Sequence, residues 1–327
     1  MTLHSEEIVL PAKGVKSLAW EESSLVDWVA GGARYELDGT KKSGGINWTY
    51  RFDAAVVSGS GALVAIYEKL GTKGLLIRTA DHHLVRELNR SFYCADAYEY
   101  PIAFVPLPDG SEGLAHCPRE YCRLDIELAE SGRCLTDHPS RKPSDVFHSR
   151  LRPSPGGTWL ASAGWVWHPF DVASLWDLRT VLDDPRLLDK SQIELKVDDE
   201  VAALSFLDDR RLVIGTGDEN AEDEKRPNRL VVFDPIPSDS PRKLTLEKPA
   251  GTLHRLDENL VLSLFEHPTL IQISDGAVVG EWPHLATGKQ RSSIIHHLEQ
   301  IPPVAVHPTE RMFAVANQDA ITVVRVT

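Results

Sequence analysis

Apolar residues in this chain come in short runs. Stretches of about five to eight residues rich in Val, Leu, Ile and aromatics recur from end to end, separated by Gly, Pro, Asp and Ser. Runs of that length bounded by turn residues predict β-strands, and their recurrence predicts an all-β protein. No window of about 11 to 18 residues carries a capped 3.6-residue apolar period. The segments "SSIIHHLEQI" (292–301) and "VLDDPRLLD" (181–189) predict short helical turns at most.

The runs repeat as a larger unit of inner strand a, turn, strand b, loop, strand c and often a polar strand d. The clearest copy reads "FHSRLRPSPGGTWLASAGWVWHPFDVASLWDL". In it "HSRLRPS" supplies strand a, "SPGG" the turn, "TWLASAGWVW" strand b and "VASLWDL" strand c. Copies begin near Val15, Phe52, Pro101, Val146, Val201, Gly251 and Pro303, so 288 residues separate the first from the seventh in six intervals, a mean of 48. Such a period matches the blade of a β-propeller, about 40 to 45 residues, lengthened by loop insertions. The expectation is one seven-bladed propeller domain over residues 1–327. The seventh copy stops after its third strand at Val326, whereas "SEEIVLPA" (5–12) is a strand with no blade of its own. Pairing the two completes the last blade and closes the ring, which leaves no exposed terminal edge.

With "SPGG", "WLASAG" and "LWDL" in succession, the fourth copy resembles a WD40 repeat, Trp176 and Asp177 standing in the place of the signature dipeptide. Gly156 stands where that family carries a turn Asp, and no Gly-His pair precedes strand a. The fifth and last copies keep part of the pattern, and the first three keep its strand order. The resemblance implies a disc in which the b–c and d–a loops share one face. Segments 116–121, 167–171, 218–228 and 266–269 then surround one rim, bordered by the longer 89–101 and 284–303.

Three of the eight tryptophans fall between positions 165 and 176. Alternation along strand b puts Trp159, Ala161, Ala163, Trp165 and Trp167 on one face. Trp159 and Trp176 read as core between blades. Trp165 and Trp167 end the strand beside His168, the stiffening Pro169 and Phe170, and read as an exposed aromatic anchor for a protein partner. The segment "NRSFYCADAYEYP" (89–101) is rich in Tyr and Phe, as protein-binding surfaces tend to be. His116, His168 and His267 sit in three rim loops, where turn chemistry accounts for the two His-Pro pairs without a metal.

Lys plus Arg number 35 against 48 Asp plus Glu, a net charge of −13. That balance repels phosphate backbones and anionic lipid, so neither nucleic acid nor membrane is expected as a direct ligand. Acid concentrates in one third of the chain, with Asp218, Glu219, Glu222, Asp223 and Glu224 in the b–c loop of the fifth copy. A solvated loop accounts for such a run; a surface steering a basic protein partner does so as well. No secretory signal pattern opens the chain and no apolar run approaches the roughly 20 residues of a membrane span, so a cytoplasmic protein is expected. Cys94, Cys117, Cys122 and Cys134 lack the spacing of a zinc finger or ribbon, and neither metal nor cofactor is expected.

No G-x-S-x-G elbow, H-E-x-x-H motif, phosphate loop or dinucleotide fingerprint is present. The sequence therefore favours a non-catalytic module that binds another protein through its loop-bearing face. An immunity protein neutralising a basic toxin and an assembly scaffold both satisfy that description. The alternative is a propeller enzyme of hydrolase or lactonase type, with a metal or carboxylates such as Asp53, Asp145 and Glu200 at the central channel.

Overall fold

The computed structural model describes residues 3–167, 170–192, 200–217, 228–234, 241–290, 292–294 and 301–327. Among them the strands form seven small antiparallel sheets arranged as a seven-bladed propeller, with almost no helix. Blade 1 consists of Ala19–Glu21, Ser24–Asp27, Ala33–Glu36 and Lys41–Lys42; blade 2 of Ala54–Val57, Leu63–Tyr67, Lys73–Arg78 and Leu84–Asn89. Blade 3 holds Ile102–Pro106, Glu112–His116 and Asp125–Leu128, with an isolated bridge from Glu127 to Cys134 in the place of a fourth strand. Blade 4 holds Val146–Phe147, Arg152–Pro153, Trp159–Val166 and Phe170–Asp177; blade 5 holds Val201–Phe206, Leu212–Thr216, Arg229–Phe233 and Arg242–Thr245. Blade 6 is Leu253–Arg255, Leu260–Ser263, Thr269–Gln272 and Val278–Glu281. Blade 7 takes Val304–Val306, Met312–Ala316 and Ala320–Val326 from one end of the chain and Ser5–Pro11 from the other.

The first strands of successive blades lie side by side from blade 7 through blade 1 to blade 6, so strand a is innermost and lines a central channel. Alternation along the strands feeds both faces of each sheet. In blade 2, Val64 and Ile66 enter a core shared with blade 1, while Leu63, Ala65 and Tyr67 enter one shared with blade 3. In blade 7, Phe313 and Val315 face blade 6, and Met312, Ala314 and Ala316 face blade 1. Each of the seven boundaries has such a core. A strand covered on both faces needs no polar side, which is why Val201–Phe206 is buried at every position.

Ring closure runs through main-chain hydrogen bonds. Ser5–Pro11 pairs antiparallel with Ala320–Val326 over its whole length, Ser5 opposite Val326 and Pro11 opposite Ala320. His4 and Thr327 exchange backbone bonds of 3.1 and 2.9 Å, and Leu10 is buried in the core between blades 7 and 1.

Blade 4 departs from the repeat. Its inner strand is broken, with Phe147 opposite Trp165 but Arg152 opposite Ala161, so five steps on one strand face four on the other. The bulge is absorbed at Arg150, whose φ of 48° lies in the left-handed region. Gly164 is required here, because a Cβ would stand 2.2 Å from the carbonyl oxygen of Phe147. The one face expected for strand b therefore divides. Trp159, Ala161 and Ala163 pack against blade 5, whereas Trp165 joins Phe147 and Tyr98 in a separate aromatic cluster.

Trp176 is fully buried and its Nε1 donates to the Lys190 carbonyl at 2.9 Å. Asp177 caps a short helix, Leu178–Asp183, by accepting from Thr180 N at 3.1 Å. The turn that has Gly156 instead of Asp is held from the next blade. Asp209 accepts from Ser154 Oγ and from Gly156 N, and its carbonyl accepts from Trp159 Nε1 at 3.0 Å.

Two measurements check this account. Leu10→Ala leaves a void at the ring seam and is expected to cost about 2–5 kcal/mol in urea unfolding; an unchanged midpoint would mean that the seam does not hold the ring. His148 is buried against Trp176, and desolvation lowers its pKa to about 4. Below pH 6.5 the unfolded chain takes up a proton that the folded chain refuses until about pH 4, so this residue makes stability fall as pH drops through that window. His148→Phe is expected to flatten the loss of melting temperature between those limits, and an unaltered pH profile would contradict the assignment.

Candidate functional site

Outside the seven cores between blades lies an eighth apolar group, on the face that carries the b–c and d–a connections. It begins with the d–a segment between blades 2 and 3. Arg90 is buried there and holds the segment from within: Nε donates to the Gly71 carbonyl at 2.7 Å, and Nη2 to those of Ala95 and Tyr98 at 2.7 and 3.1 Å. Its guanidinium lies over the rings of Tyr98 and Tyr100, 4.6 and 4.9 Å from their centroids. A delocalised planar cation suits that double role, since it bonds in its plane and stacks on its faces. With Cys94 in the left-handed region (φ 52°), the chain turns so that Phe92 and Tyr93 point outward.

The rings form a continuous stack. Trp165 lies parallel to Phe147 at 4.0 Å and 6°, Tyr121 follows Phe147 at 4.5 Å, and Tyr93 follows Tyr121 at 4.8 Å. Trp167 adjoins Trp165 at 5.9 Å, and Tyr98 meets Phe147 edge-on at 5.4 Å. The Tyr121 hydroxyl donates to Asp145 at 2.6 Å, which raises the phenol pKa and fixes the ring. Phe92 is 86% exposed, Trp167 56%, Tyr93 45% and Phe170 41%. The result is a shelf of solvent-facing rings backed by a buried layer of stacked ones.

Of the anchor residues expected from the sequence, Trp167 and Phe170 are exposed on this face. Trp165 is not: it is 6% exposed, covered by Phe147, and it supports Trp167 from below. His168 and the acidic residues Asp218, Glu219, Glu222, Asp223 and Glu224 lie outside the described residues. Tyr121 and Phe147, the centre of the stack, were not singled out by the sequence, where Phe147 is one more strand residue.

A second connection, from blade 6 to blade 7, crosses toward the opposite side of the ring. Ser292 O accepts from Arg150 Nη1 at 3.1 Å, Ser293 Oγ donates to the buried Asp171 at 2.7 Å, and Ile294 bridges to Tyr98. Burial raises the pKa of Asp171, and the bonds from Ser292 and Ser293 oppose that rise.

No family model matches the chain, and no curated protein sequence matches it either. Among solved structures it is similar to Kuenenia stuttgartiensis hydrazine synthase, with a TM-score of 0.63 over 97% of this chain and 96% of that one. The likeness is one of fold. At 12% identity it carries no residue role across.

Among the described residues no group of three or more His, Cys, Asp or Glu has the arrangement of a metal site. His116 is buried, with Nε2 3.0 Å from Glu127 Oε2, and His267 stands 3.5 Å from Glu281, so each has its own carboxylate on its own blade. The four cysteines are free thiols. Of the carboxylates considered for channel chemistry, Asp53 lines the channel and accepts from Lys69 N at 2.8 Å, while Asp145 belongs to the shelf through Tyr121. No helix among the described residues is long and apolar enough to cross a membrane.

Arg90→Met removes the donors that hold segment 91–100. Ala95 and Ala97 donate main-chain bonds to the carbonyls of Phe92 and Cys94, and their amide exchange is expected to accelerate at least tenfold in the variant while the strands of blades 5 and 6 keep their protection. Equal exchange in both proteins would relieve Arg90 of that role.

Proposed function

We propose that the protein is a non-catalytic binding module, a WD40-like propeller that docks another protein on its loop-bearing face. The observation that carries the reading is the shelf. Tyr93 and Trp167 are exposed at the two ends of the Tyr121–Phe147–Trp165 stack, and Phe92 and Phe170, next to them in the chain segments that carry the stack, are exposed as well, where one isolated exposed ring would need no explanation. Tyr93 and Trp167, held by stacking, lose little entropy on binding, and exposed aromatic residues supply much of the affinity in protein interfaces. The WD40-like assignment is supported by blade 4, where the Trp176–Asp177 pair ends strand c with the Trp buried.

The WD40 resemblance implies a place on the same rim for the acidic run at 218–228, which would there steer a basic partner in a cytoplasmic setting. Neutralisation of a basic toxin and scaffolding within an assembly both fit such a surface. An enzyme with a metal or carboxylates in the channel is the weaker reading, because cations outnumber carboxylates among the charged residues of the channel lining.

The double variant Phe92→Ala/Trp167→Ala tests the proposal. Both side chains are exposed, so the thermal transition is expected to stay within a degree or two. A partner recovered from the native host by the wild-type chain should be lost, with at least a tenfold fall in affinity for the purified pair. Identical recovery by both chains would overturn the docking role of the shelf. For the acidic loop, deletion of 218–228 is expected to slow association and flatten its salt dependence; unchanged association kinetics would remove the steering argument.

A further inference from the structure

In a chain of net charge −13, the charged side chains lining the central channel are five cations, Lys16, Lys69, Arg150, Arg152 and Arg255, against three carboxylates, Asp53, Glu99 and Glu112. Two adjoining cavities of about 310 and 560 Å³ occupy it and share Tyr67, Glu99, Arg150 and Arg152 at their common waist. Lys16, Lys69 and His254 line the first and Arg255 the second. Two of the carboxylates present are already engaged, Asp53 by Lys69 N at 2.8 Å and Glu112 by Ser60 N at 2.9 Å.

The arginines have no such partners. Among the described residues, Arg150, Arg152 and Arg255 form no ion pair with a carboxylate, and the side chains of Arg152 and Arg255 make no hydrogen bond; Arg255 Nε is buried with nothing to donate to. Arg150 is 7% exposed and bonds only to two main-chain carbonyls, of Ala202 at 2.8 Å and Ser292 at 3.1 Å. Glu99 and Asp171 act on Arg150 only at a distance; a buried or half-buried guanidinium with no carboxylate in contact is costly, and five N–H donors in a fixed fork match the paired oxygens of a carboxylate or phosphate. Neutral donors and acceptors line the same cavities. Burial and the charges of Arg152 and Arg150 hold the His254 pKa down to about 3, so its ring is uncharged, and Tyr100 Oη is buried without a partner in the lining of the second cavity.

We propose that the second cavity, where it meets the waist of the channel, is a binding site for a small dianion bearing carboxylate or phosphate groups, held by the guanidinium groups of Arg152 and Arg255 in the field of Arg150. Glu99, at the same waist, limits how much negative charge the site accepts. The site is separate from the aromatic shelf, so either can fail without the other.

The test uses the full chain, with inorganic phosphate and succinate titrated separately and sodium chloride at equal ionic strength as the control. Thermal unfolding and calorimetry should show saturable binding of at least one dianion and none of chloride. Arg152→Gln and Arg255→Gln each remove charge-assisted bonds and should weaken binding about tenfold or more. Because neither arginine has a partner within the protein, both variants should fold, and without ligand should melt at or above the wild-type temperature. Glu99→Gln should tighten binding severalfold. The two probes distinguish the preferred oxyanion: saturation by either supports the site. Absence of saturable binding by both overturns it, as does binding by the folded Gln variants equal to wild type; if one Gln variant does not fold, the other and Glu99→Gln decide.

Discussion

No blade of this protein can hold itself together, because each is a sheet of a few short strands whose apolar side chains point to both faces. The cores lie between sheets, and every sheet is half of two of them. Stability is therefore a property of the closed ring. That places a heavy demand on the one boundary where the chain does not continue, and the antiparallel pairing of Ser5–Pro11 with Ala320–Val326 meets it with backbone bonds whose register the sequence alternation fixes.

Much of the fold was legible in advance for the same reason. Packing between sheets imposes short apolar runs, turns at regular spacing and an orphan strand at one end, all of them local signals. What could not be read is what depends on contacts between distant residues. The bulge at Arg150 and the resulting parting of Trp165 from Trp159 follow from how Val146–Phe147 lies on strand b, and no spacing in the sequence encodes that. The turn at Gly156 shows the same limit. Its missing carboxylate is present, but Asp209 of the neighbouring blade supplies it.

The shelf was half legible. An excess of Trp and Phe near 165–170 and of Tyr and Phe near 89–101 marked the two sides, and the structure joins them through Phe147 and Tyr121. The channel was not legible. Arg150 and Arg152 come from blade 4 and Arg255 from blade 6, and only their convergence with no carboxylate in contact distinguishes them. The molecule thus segregates its chemistry: apolar rings gather on an outer face, and cations gather within an acidic chain.

The connection from blade 6 to blade 7 makes the ring more than a circle of neighbours. By reaching Asp171 and Arg150 of blade 4 and Tyr98 ahead of blade 3, it acts as a chord across a wheel. A ring fastened only around its circumference can gape wherever one seam loosens, since each blade answers to the two beside it. With a chord in place, parting blades 6 and 7 from the far side also means withdrawing serines from a buried carboxylate. Breathing of the disc and access to its interior become a single motion.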